Sequence, residues 1–394
     1  MITNSARGYY QVNDKIYTNK LLALYCNKNN NEITWNFHDE VFSQQDWTKR
    51  PAGTLQDLYK QRAQQLRDSY DYLILNFSGG ADSWNILHTF LTNNIKLDEV
   101  YTRWGRAERK YKSADPVDTT EGNLGSEFEY AVVPVLEYIK KNYPNINIVV
   151  DDYSECYQQD FKEEYIRLSD HYQLLTSAWK YNRKSSQEIK LEKKNKKIAN
   201  IFGYDKISCK IENGNFYAFF RDGMTGCHES DMNTNKKFEL FYYSVDMPQL
   251  PILQAHYIKE NLSMLPFMAN SNKIKEKYNE LGSLLKNNII YNDLYETICY
   301  PEYDKKTLQV SKLLGTHISK SDLWIRSYNP RYYESWKWHY DQLFGSIDNK
   351  FLTQKLNISF NTGIGYSPSK SYLIGKITDS EKNKFLEISN IIKI

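Results

Sequence analysis

The chain has 394 residues, of which 41% are hydrophobic and 25% charged, a composition that suits a folded protein and excludes wholesale disorder. A net charge of +3 is too small at this length to argue for a nucleic-acid or membrane partner from the global balance. No apolar run is long enough to span a bilayer and Met1 to Tyr10 lacks the apolar core of a secretory signal, so a cytoplasmic protein without membrane contact is expected.

Residues 1–70 read as an α/β extension. Short apolar runs occupy 16–25 and 33–37, and an amphipathic helix is expected over 55–70 on Leu55, Leu58, Tyr59, Ala63 and Leu66, with Thr54 as its N-cap. The centre then alternates strand and helix. Residues 72–77 form a continuous apolar run, the pattern of a strand buried on both faces of a parallel sheet. A helix comes next over 84–92, a second strand over 99–102, a second helix over 128–143 ended by Pro144, and a third strand over 146–150. A long helical stretch covers 157–197, and a fourth strand covers 198–202. Residues 207–211 and 216–220 read as a hairpin turning at Asn213-Gly214. The alternation predicts a doubly wound α/β parallel sheet over 71–225. From 226 to 394 the pattern loosens into a strand at 238–243 and mostly helical, Tyr- and Trp-rich sequence, expected to form a C-terminal substrate or interaction domain.

Between the first buried strand and its helix stands Ser78-Gly79-Gly80-Ala81-Asp82-Ser83. Ligands of a doubly wound sheet bind beyond the carboxyl ends of the strands. Two consecutive glycines let backbone approach an anion closely, and successive N–H groups with a helix N-terminus favour phosphate. Ser78 and Ser83 can donate to phosphate oxygens, and Asp82 can hold a Mg²⁺ that bridges phosphates. No G-x-x-x-x-G-K-[ST] and no G-x-G-x-x-G after a strand occurs, which sets aside the other common nucleotide loops. The alternative for the same residues is a Gly-Gly turn with Asp82 and Ser83 merely capping a helix.

The S-G-G-x-D-S string after a first strand resembles the PP-loop, or N-type ATP pyrophosphatase, superfamily, which includes the synthetase domain of asparagine synthetase, GMP and NAD synthetases and tRNA thiolases. The resemblance implies an adenine-nucleotide α-hydrolase-like sheet of order 3-2-1-4-5 and the cofactors ATP and Mg²⁺. It also implies cleavage of ATP to AMP and pyrophosphate through an adenylate that a nitrogen or sulfur nucleophile resolves. The flanks, 1–70 and 226–394, are similar to phage proteins of an asparagine-synthase-like kind, which implies host cytoplasm for a viral protein. Related enzymes place a Gly- and Asp-containing segment after strand four. Gly203, Asp205 and Lys206 fit it: Gly203 for close approach, Asp205 as second Mg²⁺ ligand, and Lys206 to neutralise departing pyrophosphate.

Other features stay open. Arg103, Trp104, Arg106 and Arg109 suit adenosine or substrate contacts or an exposed basic helix, whereas Asp151 and Asp152 are read as solvated. Eight Lys/Arg from Lys180 to Lys197, against two Glu, form a solvated helix face or a polyanion contact. The bases and aromatics Trp324, Arg326, Arg331, Trp336 and Trp338 suit either stacking or helix packing. Ile2 stands where a glutaminase of the asparagine-synthetase kind needs Cys, so that ammonia source is not expected. The five cysteines carry no C-x-x-C pair and support neither a zinc site nor a disulfide framework. Cys156, Cys209 and Cys227 are sulfur-transfer candidates by position only. The leading expectation is an AMP-forming ligase or amidotransferase-like enzyme. A sulfurtransferase or adenylyl-sulfate-type reductase and a non-catalytic nucleotide-binding viral protein are the alternatives.

Overall fold

The computed structural model describes residues 8–17, 23, 26–27, 33–104, 128–152, 154, 185–203, 206–222, 236–261, 298–303, 328–344 and 367–378. Strand β1 (Tyr9–Val12) buries Tyr10 and Val12 and pairs antiparallel with β2 (Lys15–Tyr17) and β3 (Ile33–Asn36). A short helix α1 (Asp39–Phe42) leads to α2 (Leu55–Ser69). Thr54 starts α2 with a reciprocal capping box: its hydroxyl accepts from the Asp57 N–H at 3.1 Å, and its own N–H reaches Asp57 Oδ2 at 3.0 Å. The periodic face Leu55, Leu58, Tyr59, Ala63 and Leu66 is buried as expected, and Arg62 is buried beside it.

Next come β4 (Tyr72–Asn76), α3 (Ala81–Thr92), β5 (Glu99–Trp104), α4 (Val133–Asn142), β6 (Asn147–Asp152), α5 (Ser186–Glu192) and β7 (Ile198–Phe202). The hairpin β8 (Ser208–Glu212) and β9 (Asn215–Phe219) precedes β10 (Lys236–Leu240). Strands β6-β5-β4-β7-β10 form one sheet in that order, every pairing parallel. Leu73 and Leu75 face the main core, while Ile74 packs with Tyr101 and Ile198 on the other face. A strand buried on both sides reads as an apolar run because neither face meets water. The chain lays β5 and β6 on one side of β4, then crosses to set β7 and β10 on the other. That reversal opens a crevice at the carboxyl ends of β4 and β7.

Several boundaries differ from those expected from sequence. The fifth strand of the sheet, β10, lies past residue 225, so the sheet draws on chain expected to belong to the C-terminal domain. Pairing partners, not composition, define a sheet, and the weakly apolar Lys236–Leu240 shows little of its role in sequence. Helix α3 starts at Ala81, which puts Asp82 and Ser83 in its first turn. The second helix opens with a π-helical turn, Phe128–Val132, ahead of α4. Pro134 offers no N–H to the preceding turn, and a widened turn accommodates that loss.

The remaining described elements are α6 (Gln249–Glu260), α7 (Pro330–Phe344) and β11 (Tyr372–Lys376). Strand β11 joins the hairpin in a three-stranded antiparallel sheet, β11-β9-β8. Phe37 and Trp47 from the N-terminal region, Phe220 after the hairpin, Tyr243 after β10 and Tyr372 of β11 share one aromatic cluster. Their ring centroids include Phe37–Phe220 at 4.8 Å, Phe220–Tyr243 at 4.7 Å and Trp47–Tyr372 at 4.4 Å. The three regions expected from sequence therefore share one core. Among the described residues no helix is long and apolar enough to cross a membrane.

Candidate functional site

Three neighbouring strands, β4, β7 and β10, end at the same rim, and the loop or turn after each of them contributes to the site. After β4, Phe77 hydrogen-bonds β5 through Tyr101 O at 2.8 Å, and the chain then leaves the sheet. Gly79 takes φ +78, and a Cβ built there would sit 2.8 Å from Val132 Cγ2 of the π-helical turn. Both the left-handed backbone and the contact demand glycine. The turn is braced by its serines: Ser78 N–H donates to Ser83 Oγ at 3.2 Å, Gly80 N–H to Ser78 Oγ at 3.3 Å, and Ser83 Oγ to Gly80 O at 3.1 Å. Ser78 is exposed and Ser83 buried. Gly80 is the N-cap of α3 and gives it no side-chain cap, so no N-cap side chain takes up the N–H groups of the first turn.

After β7, Gly203 packs directly on that helix start. A Cβ on Gly203 would lie 2.8 Å from both Asp82 C and Ser83 N, which are backbone atoms and cannot swing aside. The glycine thus sets how closely the two loops approach. Three residues on, Lys206 turns back into the protein. Its side chain is 3% exposed, and Nζ donates to Asp82 Oδ1 at 3.1 Å. Asp205, the expected second metal ligand, and Tyr204 lie outside the described residues.

After β10, Tyr242 donates through its hydroxyl to Asp82 O at 2.8 Å and accepts from Asn85 Nδ2 at 3.0 Å. Tyr243 donates to Lys206 O at 2.9 Å. Residues 298–303 cover the start of α3 from a distant part of the chain. Tyr300 donates to Asp82 Oδ1 at 2.8 Å, with Lys206 Nζ 5.8 Å from its ring centroid. Trp84 stacks on His88 at 4.7 Å and meets Tyr303 at 5.5 Å, while His88 Nε2 lies 2.9 Å from Glu302 Oε2. Tyr59 of α2 donates to Cys299 O at 3.2 Å and accepts from Gln254 Nε2 at 3.1 Å. Burial, reinforced by the Asp82 carboxylate, holds the Tyr242 and Tyr300 hydroxyls far above the ordinary tyrosine range, so they act as neutral donors.

Ser78, Gly79, Gly80, Asp82, Ser83, Gly203 and Lys206 are thus brought together at one rim. Tyr242 and Tyr300 have no signal in a chain with 33 tyrosines, because only long-range folding delivers them. Other expectations land elsewhere. Arg103 and Trp104 belong to β5 itself, not to a loop beyond it. Arg103 Nε stands 3.8 Å from Asp151 Oδ2, which also accepts from Tyr101 OH at 2.8 Å, so Asp151 is structurally engaged and not simply solvated. Asp152 Oδ1 accepts from the Ser154 N–H at 3.0 Å. The described part of the lysine run, up to Lys197, leads into the amino end of β7, opposite the Ser78–Ser83 rim. A strand of this length, roughly 16 Å, separates the two ends. Cys209 is fully buried in β8, which marks it as core. Arg106, Arg109, Cys156, Cys227, Trp324 and Arg326 lie outside the described residues. So does the side chain of Trp336, and Trp338 is exposed on α7.

Among the described residues no group of three or more His, Cys, Asp or Glu side chains could hold a metal ion. Asp82 is the carboxylate that the described residues bring to the rim. Lys206 and Tyr300 both bond its Oδ1, which leaves Oδ2 as the oxygen available to a cation. No family model matches the chain, and neither a curated protein nor a solved structure matches it.

Proposed function

We propose that this chain is an ATP-dependent adenylating enzyme of the PP-loop type, cleaving ATP to AMP and pyrophosphate to activate an acceptor for amide or amine formation. The observation that carries the reading is the meeting of an uncapped helix N-terminus with a buried lysine across a crevice between two parallel strands. A helix start without a side-chain cap binds anions through its N–H groups and dipole, and Gly79 and Gly203 let the two loops pack tightly against the π-helical turn and the start of α3. The strand order, third-second-first-fourth-fifth along the chain, supports the adenine-nucleotide α-hydrolase-like assignment that the sequence motif implies.

In this reading Ser78, Gly79, Gly80 and Ser83 cradle phosphate oxygens, and Lys206 supplies a positive charge beside the place where the leaving pyrophosphate gains negative charge. A charge positioned in advance costs no reorganisation at the moment of reaction. Magnesium, when bound, neutralises the phosphates, and Asp82 is the described residue that would hold it, with Asp205 the expected partner. The acceptor oxygen attacks the α-phosphorus, and the bond to the bridging oxygen of pyrophosphate breaks.

Chromatography of nucleotide products, run with pools of carboxylic acids, amides and nucleosides as acceptors, tests the reaction class. AMP and pyrophosphate are expected, and ADP as main product overturns the proposal. Asp82→Asn is expected to weaken Mg²⁺-dependent ATP binding by calorimetry. An unchanged Mg²⁺ dependence reduces Asp82 to a helix-start residue.

A further inference from the structure

The Asp82 carboxylate is claimed twice on the same oxygen. Lys206 Nζ donates at 3.1 Å and Tyr300 OH at 2.8 Å, both to Oδ1. The two donors differ in kind. Lys206 is a cation, and a bound phosphate attracts it as strongly as a carboxylate does. Tyr300 is a neutral phenol held in the core, with no charge for a phosphate to draw on. A phosphate arriving at the rim competes for Lys206 and leaves the hydroxyl behind.

We propose that Tyr300 is a positioning residue of this site: its hydroxyl keeps the Asp82 carboxylate turned into the crevice when Lys206 is drawn toward a bound phosphate. The inference rests on the adenylating reading above. The hydroxyl is well suited to the task, because the ring cannot move without disturbing its surroundings. Tyr300 is 1% exposed, its ring centroid lies 5.5 Å from that of Tyr242 and 6.2 Å from that of Tyr59, and its segment is tied to α2 by the Tyr59 hydroxyl on Cys299 O. Tyr242 fixes the backbone of the same aspartate from the other side, through Asp82 O. The carboxylate therefore has one charged partner that a phosphate competes for and one neutral partner that it does not, and the neutral one lies 218 residues further along the chain. On this proposal the bond from Tyr300 to Asp82 makes the 298–303 segment part of the site and not only a packing element.

The test measures ATP affinity of the full-length chain by calorimetry, with Mg²⁺ and with chelator, and takes the ratio as the metal increment. Tyr300→Phe is expected to lower that increment roughly tenfold, the value of one hydrogen bond to a charged group, while affinity in chelator stays within about twofold. Tyr59→Phe is the comparison, because it removes a buried hydroxyl that grips the same segment without bonding Asp82. It is expected to lower the melting temperature as much as Tyr300→Phe does and to keep the whole increment. If Tyr300→Phe retains the wild-type increment, or Tyr59→Phe loses as much, Tyr300 is a packing residue and the inference falls alone. If wild-type protein binds ATP with no metal increment, or does not bind it, the adenylating reading falls and takes Tyr300's role with it.

Discussion

The two ends of the parallel sheet bury charge in opposite ways. At the carboxyl end, Lys206 is nearly sealed from solvent but faces an aspartate whose side chain is 26% exposed, beside an uncapped helix start. At the amino end, Glu99 is fully buried and held by neutral donors. Its Oε2 accepts from Asn147 Nδ2 at 2.7 Å, Ser185 Oγ at 3.0 Å and Tyr72 OH at 3.1 Å, and its Oε1 has no hydrogen-bond partner among the described residues. Burial above all, with a smaller push from the nearby Glu188, raises the pKa of this carboxyl against the pull of its three donors. A buried charge with a counter-ion near water can exchange that partner for a ligand. One dissolved in fixed amides and hydroxyls cannot, and it costs stability whenever it ionises. One end leaves a charged pair within reach of solvent, and the other holds strands and a helix together around a buried carboxyl.

Removing the mouth's cation is the largest perturbation. Lys206→Ala is expected to slow pyrophosphate release on the order of a hundredfold, the scale of losing one preorganised electrostatic donor. It also strands Asp82. Breaking a fully buried pair costs about 3–5 kcal/mol, but Asp82 keeps the Tyr300 hydroxyl and some solvent, so a loss of roughly 1–3 kcal/mol in urea unfolding is expected. A variant with normal turnover breaks the functional half of the comparison.

Gly203→Ala attacks the closeness of the two loops without touching a charge. The new methyl meets the Asp82 and Ser83 backbone at 2.8 Å, so the β7 loop or the start of α3 must shift. Overpacking of this kind costs about 1–3 kcal/mol. ATP affinity, measured by calorimetry, is expected to fall with the melting temperature. A stable variant with full affinity shows that the contact does not shape the site.

The smallest effect sharpens the other end. A carboxyl whose folded pKa is raised lends most stability below its unfolded value, near about 4.3, and loses it as pH rises through the folded value. Glu99→Gln removes that loss while keeping an acceptor for the three donors. The variant is expected to exceed wild type by about 1 kcal/mol in urea unfolding at about pH 7.5, with the gain shrinking toward about pH 4. A gain that is absent, or that grows in acid, shows Glu99 stabilised as a charge.

Much of this architecture is legible in the order of residues. The run 72–76, the start of α2 at Thr54, the hairpin turn at Asn213-Gly214 and the loop Ser78–Ser83 all obey short-range rules: alternation, capping and glycine backbone freedom. Gly203 and Lys206 are reachable because a parallel sheet with right-handed crossovers leaves the fourth strand few places to go, and it pairs with the first from Tyr72↔Ile198 to Asn76↔Phe202. A strand at 238–243 is legible too and is found as β10 at Lys236–Leu240, but its place in the parallel sheet escapes such reasoning because that place is set by β7 alongside.

What the chain's own order of residues determined, then, was the local chemistry: which segments form strands, where the backbone can turn tightly, and where an anion could meet a helix start. Only the tertiary structure decided which side chains answer that chemistry. Tyr242 and Tyr300 reach Asp82 across 160 and 218 residues, and Tyr59 and Gln254, from two further segments, brace the Tyr300 segment through Cys299 O. Such contacts leave no periodic trace, because a hydroxyl's partner is set by where distant segments pack and not by the residues beside it.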